Sequence, residues 1–135
     1  MRVFLDTNVL VSAFATRGLC VELFELVLQE HDLVVGRRVL DELGRALRRK
    51  LRMPERTATE IVDFVAGEAV EIVERAQAAE APVDRDDALV LGEALAGRSD
   101  VFVTGARAVG SIGRIADLPV VTPRALWEML RTRRR

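Results

Sequence analysis

Short apolar runs alternate along the chain with longer segments in which apolar residues recur every three or four positions. The short runs predict strands near residues 3–5, 33–35, 69–73, 101–103 and 120–121. The longer segments predict helices near residues 9–14, 19–30, 38–51, 54–65, 87–97 and 124–130. Strands that alternate with helices usually build a parallel sheet covered on both faces. We therefore expect an α/β fold with three layers, α/β/α, around a central parallel sheet of about five strands.

The first apolar strand runs directly into three polar residues, Asp6, Thr7 and Asn8. A buried charge is unfavourable unless it is paired, hydrogen-bonded or bound to a cation. In α/β folds the carboxyl ends of the central strands are also the places where ligands bind. We therefore interpret Asp6 as a site residue, and more specifically as a metal ligand.

Glu42 is a second candidate carboxylate and lies near the start of the predicted third helix. It shares a helix face with Arg38, Arg45 and Arg49. One interpretation is an exposed salt bridge within the helix, worth ~0.3–0.5 kcal/mol. The other is a carboxylate that faces a site, with the neighbouring arginines binding the phosphates of a polyanion.

Three aspartates, Asp84, Asp86 and Asp87, crowd the start of the predicted fifth helix. Aspartates cap helices and suit the positive end of the helix dipole. One cap requires only one of them, however, and a bound cation would relieve the repulsion among the three. Both interpretations stay open for this cluster.

The residue types limit the chemistry that these carboxylates can support. With one histidine and one cysteine, the chain cannot build a histidine-rich or thiolate metal site. Carboxylates without such ligands suit hard cations, Mg²⁺ or Mn²⁺. A cation of this kind polarises a phosphoryl oxygen and supplies hydroxide. Metal-assisted phosphodiester hydrolysis is therefore the leading chemistry.

Composition places the chain among globular proteins. Its 135 residues suit one domain, residues 1–135, and it is 50% hydrophobic and 30% charged. No apolar run approaches the ~18–20 residues that cross a bilayer, so we expect no membrane association. The lone cysteine, Cys20, predicts a cytoplasmic protein without an internal disulfide.

Several segments together resemble a PIN domain, and the resemblance covers essentially the whole chain. Each motif is weak by itself, but their order and spacing are specific. The motifs are Asp6-Thr7-Asn8 after the first strand, Glu42 within residues 40–43, residues 84–87 before an alanine-rich helix, residues 101–105, and residues 120–123 before the last helix. The chain is most similar to the small bacterial and archaeal PIN proteins that are the toxins of toxin–antitoxin pairs.

The resemblance implies a ribonuclease that depends on Mg²⁺ or Mn²⁺ and cleaves RNA. It assigns the catalytic acids as Asp6, Glu42 and Asp87, and Asp6 and Asp87 are candidate metal ligands. Asp86, next to Asp87 in the sequence, is a third candidate ligand. The resemblance implies supporting roles for Asn8 and Thr104, and Thr7, between Asp6 and Asn8, is a further supporting candidate. If the substrate is RNA, the arginines that share a helix face with Glu42 are the candidate RNA-binding residues: Arg38, Arg45 and Arg49. The resemblance also implies an antitoxin protein as partner and a homodimer.

One departure from the family pattern concerns the end of the fourth strand. Chains of this family commonly carry an aspartate after Thr-Gly at this point, whereas this chain reads Thr104-Gly105-Ala106. Alanine cannot bind a metal, although Asp86 could compensate. A degenerate, non-catalytic PIN protein that binds RNA or regulates is therefore an alternative. A metal-dependent phosphatase is a third hypothesis.

Overall fold

A computed structural model describes the backbone of residues 1–133 and the side chains of residues 1–132. This part of the chain forms six strands: β1 (Arg2–Leu5), β2 (Asp32–Gly36), β3 (Glu71–Val73), β4 (Val101–Val103), β5 (Arg114–Ile115) and β6 (Leu118–Val121). It also forms seven helices: α1 (Thr7–Ala15), α2 (Leu19–Glu30), α3 (Arg37–Arg49), α4 (Glu55–Glu68), α5 (Arg85–Ala96), α6 (Arg107–Gly110) and α7 (Pro123–Arg133).

The six strands form one sheet in the order β3-β2-β1-β4-β6-β5. Its neighbouring strands are parallel, except that β5 pairs antiparallel with β6. Helices flank this sheet, which confirms the predicted α/β architecture. Within residues 1–133 no helix is both long enough and apolar enough to cross a membrane.

The centre of the sheet determines where the polar residues after β1 emerge. Val3, Phe4 and Leu5 are fully buried, as expected for a strand covered on both faces. Leu5 pairs with Val103 of the adjacent parallel strand β4. Strands β1 and β4 therefore end at the same edge of the sheet, where the carboxyl ends of the parallel strands lie.

Three helices begin close to that edge. Asp6 is the N-cap of α1, and its side chain accepts a hydrogen bond from the first backbone N–H of the helix. Helix α3 follows β2 directly and buries Val39, Leu43 and Leu47 against the core. Helix α5 begins after its N-cap, Asp84. The sequence positions these three helices so that their N-terminal turns surround the end of β1.

Differences from the predicted elements are confined to short segments and helix ends. The two-residue strand β5 and the four-residue helix α6 are too short to produce a periodic pattern, and the sequence did not predict them. Helix α3 ends at Arg49, so the predicted helix of residues 38–51 extends two residues too far and Leu51 lies outside the helix. Leu51 is 39% exposed. Helix α5 begins two residues earlier than predicted, which places Asp87 in its first turn.

Candidate active site

Asp6 is the most buried acid at the end of β1, with 9% of its surface exposed. Its Oδ1 accepts a 2.8 Å hydrogen bond from the backbone N–H of Thr7. Its Oδ2 accepts one from the hydroxyl of Thr104, at 2.8 Å, and one from Nδ2 of Asn8, at 3.2 Å. Burial raises the pKa of the Asp6 carboxyl, and these three hydrogen bonds oppose that rise. The surrounding donors therefore favour the charged form that a metal ligand needs.

Thr104 and Asn8 hold the segment after β4 against the start of α1. The Thr104 hydroxyl, which donates to Asp6, also accepts from Nδ2 of Asn8 at 3.3 Å and from the backbone N–H of Ala106 at 3.0 Å. Oδ1 of Asn8 accepts a 2.7 Å hydrogen bond from the backbone N–H of Gly105. The polar atoms that the sequence places after two separate strands thus form one connected network.

Glu42 reaches this region from α3. Its Oε2 accepts a 2.9 Å hydrogen bond from the hydroxyl of Thr7, which links α3 to the first turn of α1. Among the residues that the structure describes, Glu42 forms no ion pair with an arginine. The interpretation of Glu42 as a member of an intrahelical salt bridge is therefore wrong.

Asp87 approaches from the first turn of α5 and is half-buried. Its backbone N–H donates a 2.8 Å hydrogen bond to Oδ1 of Asp84. The helix is therefore capped by the side chain of Asp84 and not by that of Asp87. Partial burial raises the pKa of Asp87, and the negative charges of Asp84, Asp6, Glu42 and Asp86 raise it further. The acids of three different elements therefore lie close enough to repel one another.

A cavity of about 560 Å³ joins these groups, which we call the first cavity. Its walls include Asp6, Thr7, Asn8, Val11, Glu42, Arg45, Ala46, Arg49, Lys50, Asp87 and Ala106. The three candidate catalytic acids and two of the three candidate RNA-binding arginines thus share one surface. Their catalytic and binding roles remain predictions.

Two of the predicted site residues lie elsewhere. Arg38 is on the wall of a second, adjoining cavity rather than the first. Asp86 is exposed and does not line the first cavity, so the geometry gives no support to its proposed role as a compensating ligand. Ala106, in contrast, does line the first cavity, and an acidic side chain at this position would face the other acids.

The candidate metal ligands on the wall of the first cavity are carboxylates, which suit a hard divalent cation. Within the part of the chain that the structure describes, no three acidic, histidine or cysteine side chains converge into a preformed metal site. Mg²⁺, however, keeps several waters and is commonly held by one or two carboxylates. Asp6 and Asp87 fit that requirement. The arrangement therefore suits a hydrated cation rather than a closed protein cage.

Sequence reasoning missed two residues near this site. Lys50 lines the first cavity one turn after Ala46 and adds a cation to the arginines there. Glu93 lies in the second cavity and is only 2% exposed. A signal was present for Glu93, because it interrupts the buried positions of α5 between Leu91 and Ala94.

The family model described as a PIN domain matches residues 2–108. A chain from the crystal structure of VapBC2 from Rickettsia felis, bound to a DNA fragment from its promoter, superimposes with a TM-score of 0.64. That pair is 16% identical, and the match covers 90% of this chain and 98% of the other, which shows a common fold. No curated protein matches the sequence.

Proposed function

The chain belongs to the PIN-domain family, and from this premise we propose that it is an endoribonuclease dependent on Mg²⁺ or Mn²⁺. The observation that carries the proposal is the buried carboxylate of Asp6, which lines one cavity together with Glu42 and Asp87. Arg45 and Arg49 on the same wall supply positive charge for the phosphates of RNA. Acids and arginines in one open cavity suit a phosphodiester substrate.

In the proposed mechanism the chain orients its acids and the RNA backbone. A bound divalent cation supplies water of lowered pKa and polarises phosphoryl oxygens. Asp6 and Asp87 would hold that cation, and Thr104 and Asn8 keep the Asp6 carboxylate in one orientation through their hydrogen bonds. Glu42, whose Oε2 accepts a hydrogen bond from the Thr7 hydroxyl, would take up at Oε1 the proton that the attacking water loses as it bonds to phosphorus.

RNA cleavage by the purified chain tests this proposal. We expect the wild type to cleave single-stranded RNA with Mg²⁺ or Mn²⁺ and to stop when EDTA removes the metal. Asp6→Ala should abolish cleavage, and circular dichroism should establish that the variant is folded. Equal cleavage by the variant and the wild type would refute the proposal. Turnover of a small phosphomonoester such as p-nitrophenyl phosphate would favour the phosphatase hypothesis instead.

We also propose that the protein is the toxin of a toxin–antitoxin pair and acts in the cytoplasm. Its fold similarity to a chain of a VapBC2 complex supports an antitoxin partner. Phe64 is 46% exposed and packs edge-on against Phe14 and Phe24. This aromatic cluster at the surface is an apolar patch that a protein partner would bury. A short neighbouring gene that encodes a DNA-binding protein, and its co-purification with this chain, would support the pair.

A homodimer is a further part of the proposal. Size-exclusion chromatography with light scattering measures the molar mass directly, and one chain has a mass of 15.0 kDa. A mass of twice that value is expected, whereas the mass of one chain would refute the dimer.

Ala106 favours a second candidate function, a non-catalytic PIN protein that binds RNA or regulates. Its side chain lines the first cavity where relatives commonly carry an acid, so the site has one potential ligand fewer. This candidate predicts RNA binding without metal binding or cleavage. Calorimetry with Mn²⁺ and a binding assay with RNA separate the two candidates.

A further inference from the structure

A second cavity of about 470 Å³ opens beside the first one. Glu42 and Arg45 line both cavities, so the two are neighbours across α3. The walls of the second cavity include Arg37, Arg38, Asp41, Glu42, Arg45, Glu74, Arg75, Ala76 and Glu93. A strand of RNA that lies in the first cavity could therefore place a neighbouring nucleotide in the second.

Glu93 is the unusual residue of the second cavity. Its side chain is 2% exposed, and within the described part of the chain its Oε1 has no hydrogen-bond partner. Gly36 makes room for it, because a Cβ on Gly36 would lie only 2.1 Å from that Oε1. Burying a carboxylate oxygen without a partner is unfavourable, so the unpartnered Oε1 beside a cavity indicates a missing hydrogen-bond donor, which a ligand would supply.

The environment of Glu93 does not compensate for its burial. Burial raises its pKa to about 7, while the backbone N–H and the charge of Arg38 lower the pKa and the charges of Glu42 and Asp41 raise it. A ligand that donated a hydrogen bond to Oε1 would supply the partner that this oxygen lacks, and a second adjacent donor would strengthen the contact with the carboxylate.

The charges on the wall narrow the class of ligand. Arg37 and Glu74 pair through two hydrogen bonds of 3.0 and 2.8 Å, so part of the positive charge is already neutralised. The wall of the second cavity mixes arginines with acids, so its charge suits neither a free phosphate nor a metal ion. The mixture suits a planar group with hydrogen-bond donors on one edge and acceptors on another. Unpaired RNA bases have such edges, and they also stack on arginine planes.

Among the four RNA bases, guanine matches this wall best. Its N1–H and 2-amino group are adjacent donors for a carboxylate, and its O6 and N7 are acceptors that arginine binds in pairs. We propose that the second cavity is a base-recognition subsite that takes a guanine next to the cleaved phosphodiester, with Glu93 as the residue that reads its donor edge. This inference rests on the proposed function, since it takes RNA as the substrate.

Binding of short RNAs to the full chain tests the subsite. Fluorescein-labelled oligo-uridine hexamers carry one guanosine, inosine or adenosine, and anisotropy is measured in EDTA to prevent cleavage. Inosine lacks the 2-amino group and is the matched control. The wild type should bind the guanosine RNA about tenfold more tightly than the inosine RNA, in keeping with one good bidentate base contact.

Two variants locate the effect. Glu93→Gln should remove the preference for guanosine over inosine while the protein stays folded. Arg75→Ala, a change at an exposed residue of the same cavity, should weaken binding of guanosine RNA more than that of adenosine RNA. Arg56→Ala, on α4 and outside both cavities, is the control and should change none of these affinities.

The outcomes also separate this inference from the proposed function. Equal affinity of the wild type for guanosine and inosine RNA would overturn the subsite, and metal-dependent cleavage could still support the ribonuclease. An unchanged preference in folded Glu93→Gln would overturn the role of Glu93. If Glu93→Gln does not fold, the inosine comparison in the wild type and Arg75→Ala decide the matter. Failure to bind any of the RNAs in EDTA would overturn the subsite, whereas the metal-dependent cleavage assay would still decide the ribonuclease proposal.

Discussion

The hydroxyl of Thr104 donates a 2.8 Å hydrogen bond to Oδ2 of Asp6, although the two residues are 98 positions apart in the sequence. The bond spans the edge of the sheet at which β1 and β4 end side by side. Thr104 is 1% exposed, so its hydroxyl has little access to water as an alternative partner. The orientation of the Asp6 carboxylate therefore depends on the strand pairing at the centre of the fold.

Replacing Thr104 by valine should destabilise the protein and disturb the site together. The change keeps the shape of the side chain but removes one hydrogen bond from each of three groups: Oδ2 of Asp6, Nδ2 of Asn8 and the backbone N–H of Ala106. The first two keep their 3.2 Å hydrogen bond to each other. We expect the free energy of unfolding to fall by about 1–3 kcal/mol. Urea unfolding measures this, and Thr104→Ser, which keeps the hydroxyl, should recover most of it.

Replacing Ala106 by aspartate should strengthen metal binding. Ala106 lines the first cavity with Asp6 and Asp87, so a carboxylate there adds a ligand and a negative charge. We expect the affinity for Mn²⁺ in calorimetry to rise by about tenfold, since affinity for hard cations increases with the number of charged ligands. Ala106→Asn adds a similar volume without the charge and should give a much smaller gain. Equal effects of the two variants would mean that the position does not face the cation.

The stability of the protein should depend on pH through Glu93. Its pKa in the folded state is about 7, above its ordinary value of 4.5. The folded state therefore binds this proton more tightly than the unfolded state, and stability decreases as the pH rises from about 4.5 to 7. Glutamine does not titrate, so Glu93→Gln removes this pH dependence. The free energy of unfolding of the variant should therefore rise relative to that of the wild type, by about 1–3 kcal/mol, as the pH increases across this window. Urea unfolding of both proteins at pH 5 and pH 7.5 measures this change. A difference in free energy of unfolding that is the same at the two pH values would show that Glu93 does not titrate as expected.

Arg45 should contribute to RNA affinity mainly through electrostatics. It lines both cavities, and a contact with a phosphate of single-stranded RNA releases a bound counterion. Arg45→Ala should weaken binding and reduce the slope of log K against log salt concentration by about 0.7. Arg56→Ala serves as the control because Arg56 pairs with Glu60 on the surface of α4. An identical slope for both variants would remove Arg45 from the RNA-binding surface.

Sequence reasoning predicted the α/β fold because the buried strands and amphipathic helices have clear periods. The carboxylate positions of the first cavity were also accessible, since Asp6 follows a buried strand and such strands end at one edge of the sheet. The aspartate cluster at the start of α5 was visible in the sequence, but Asp87 was selected from it only through the resemblance to the PIN family. The hydrogen bond between Thr7 and Glu42, in contrast, joins side chains from two helices, and no local pattern determines that contact.

The part that sequence reasoning missed depends on tertiary packing. Glu93 stands between the apolar positions Leu91 and Ala94, but only the packing of α5 against Gly36 shows that its Oε1 is buried without a hydrogen-bond partner. Similarly, Arg38 and Arg45 have the same residue type on one helix, yet Arg38 lines only the second cavity and Arg45 lines both. Spacing along a helix gives the face, whereas the division of that face between two cavities depends on the neighbouring elements.

We propose that RNA cleavage requires a divalent cation held at Asp6, and this requirement is tested by comparing metal occupancy with cleavage rate. Calorimetry gives the occupancy of the wild type at each Mn²⁺ concentration, and a fluorescent RNA substrate gives the rate at the same concentrations. The account predicts that the two curves coincide and that folded Asp6→Asn loses both binding and cleavage. Cleavage that persists in EDTA or in Asp6→Asn, or Mn²⁺ binding unaffected by that substitution, would contradict it.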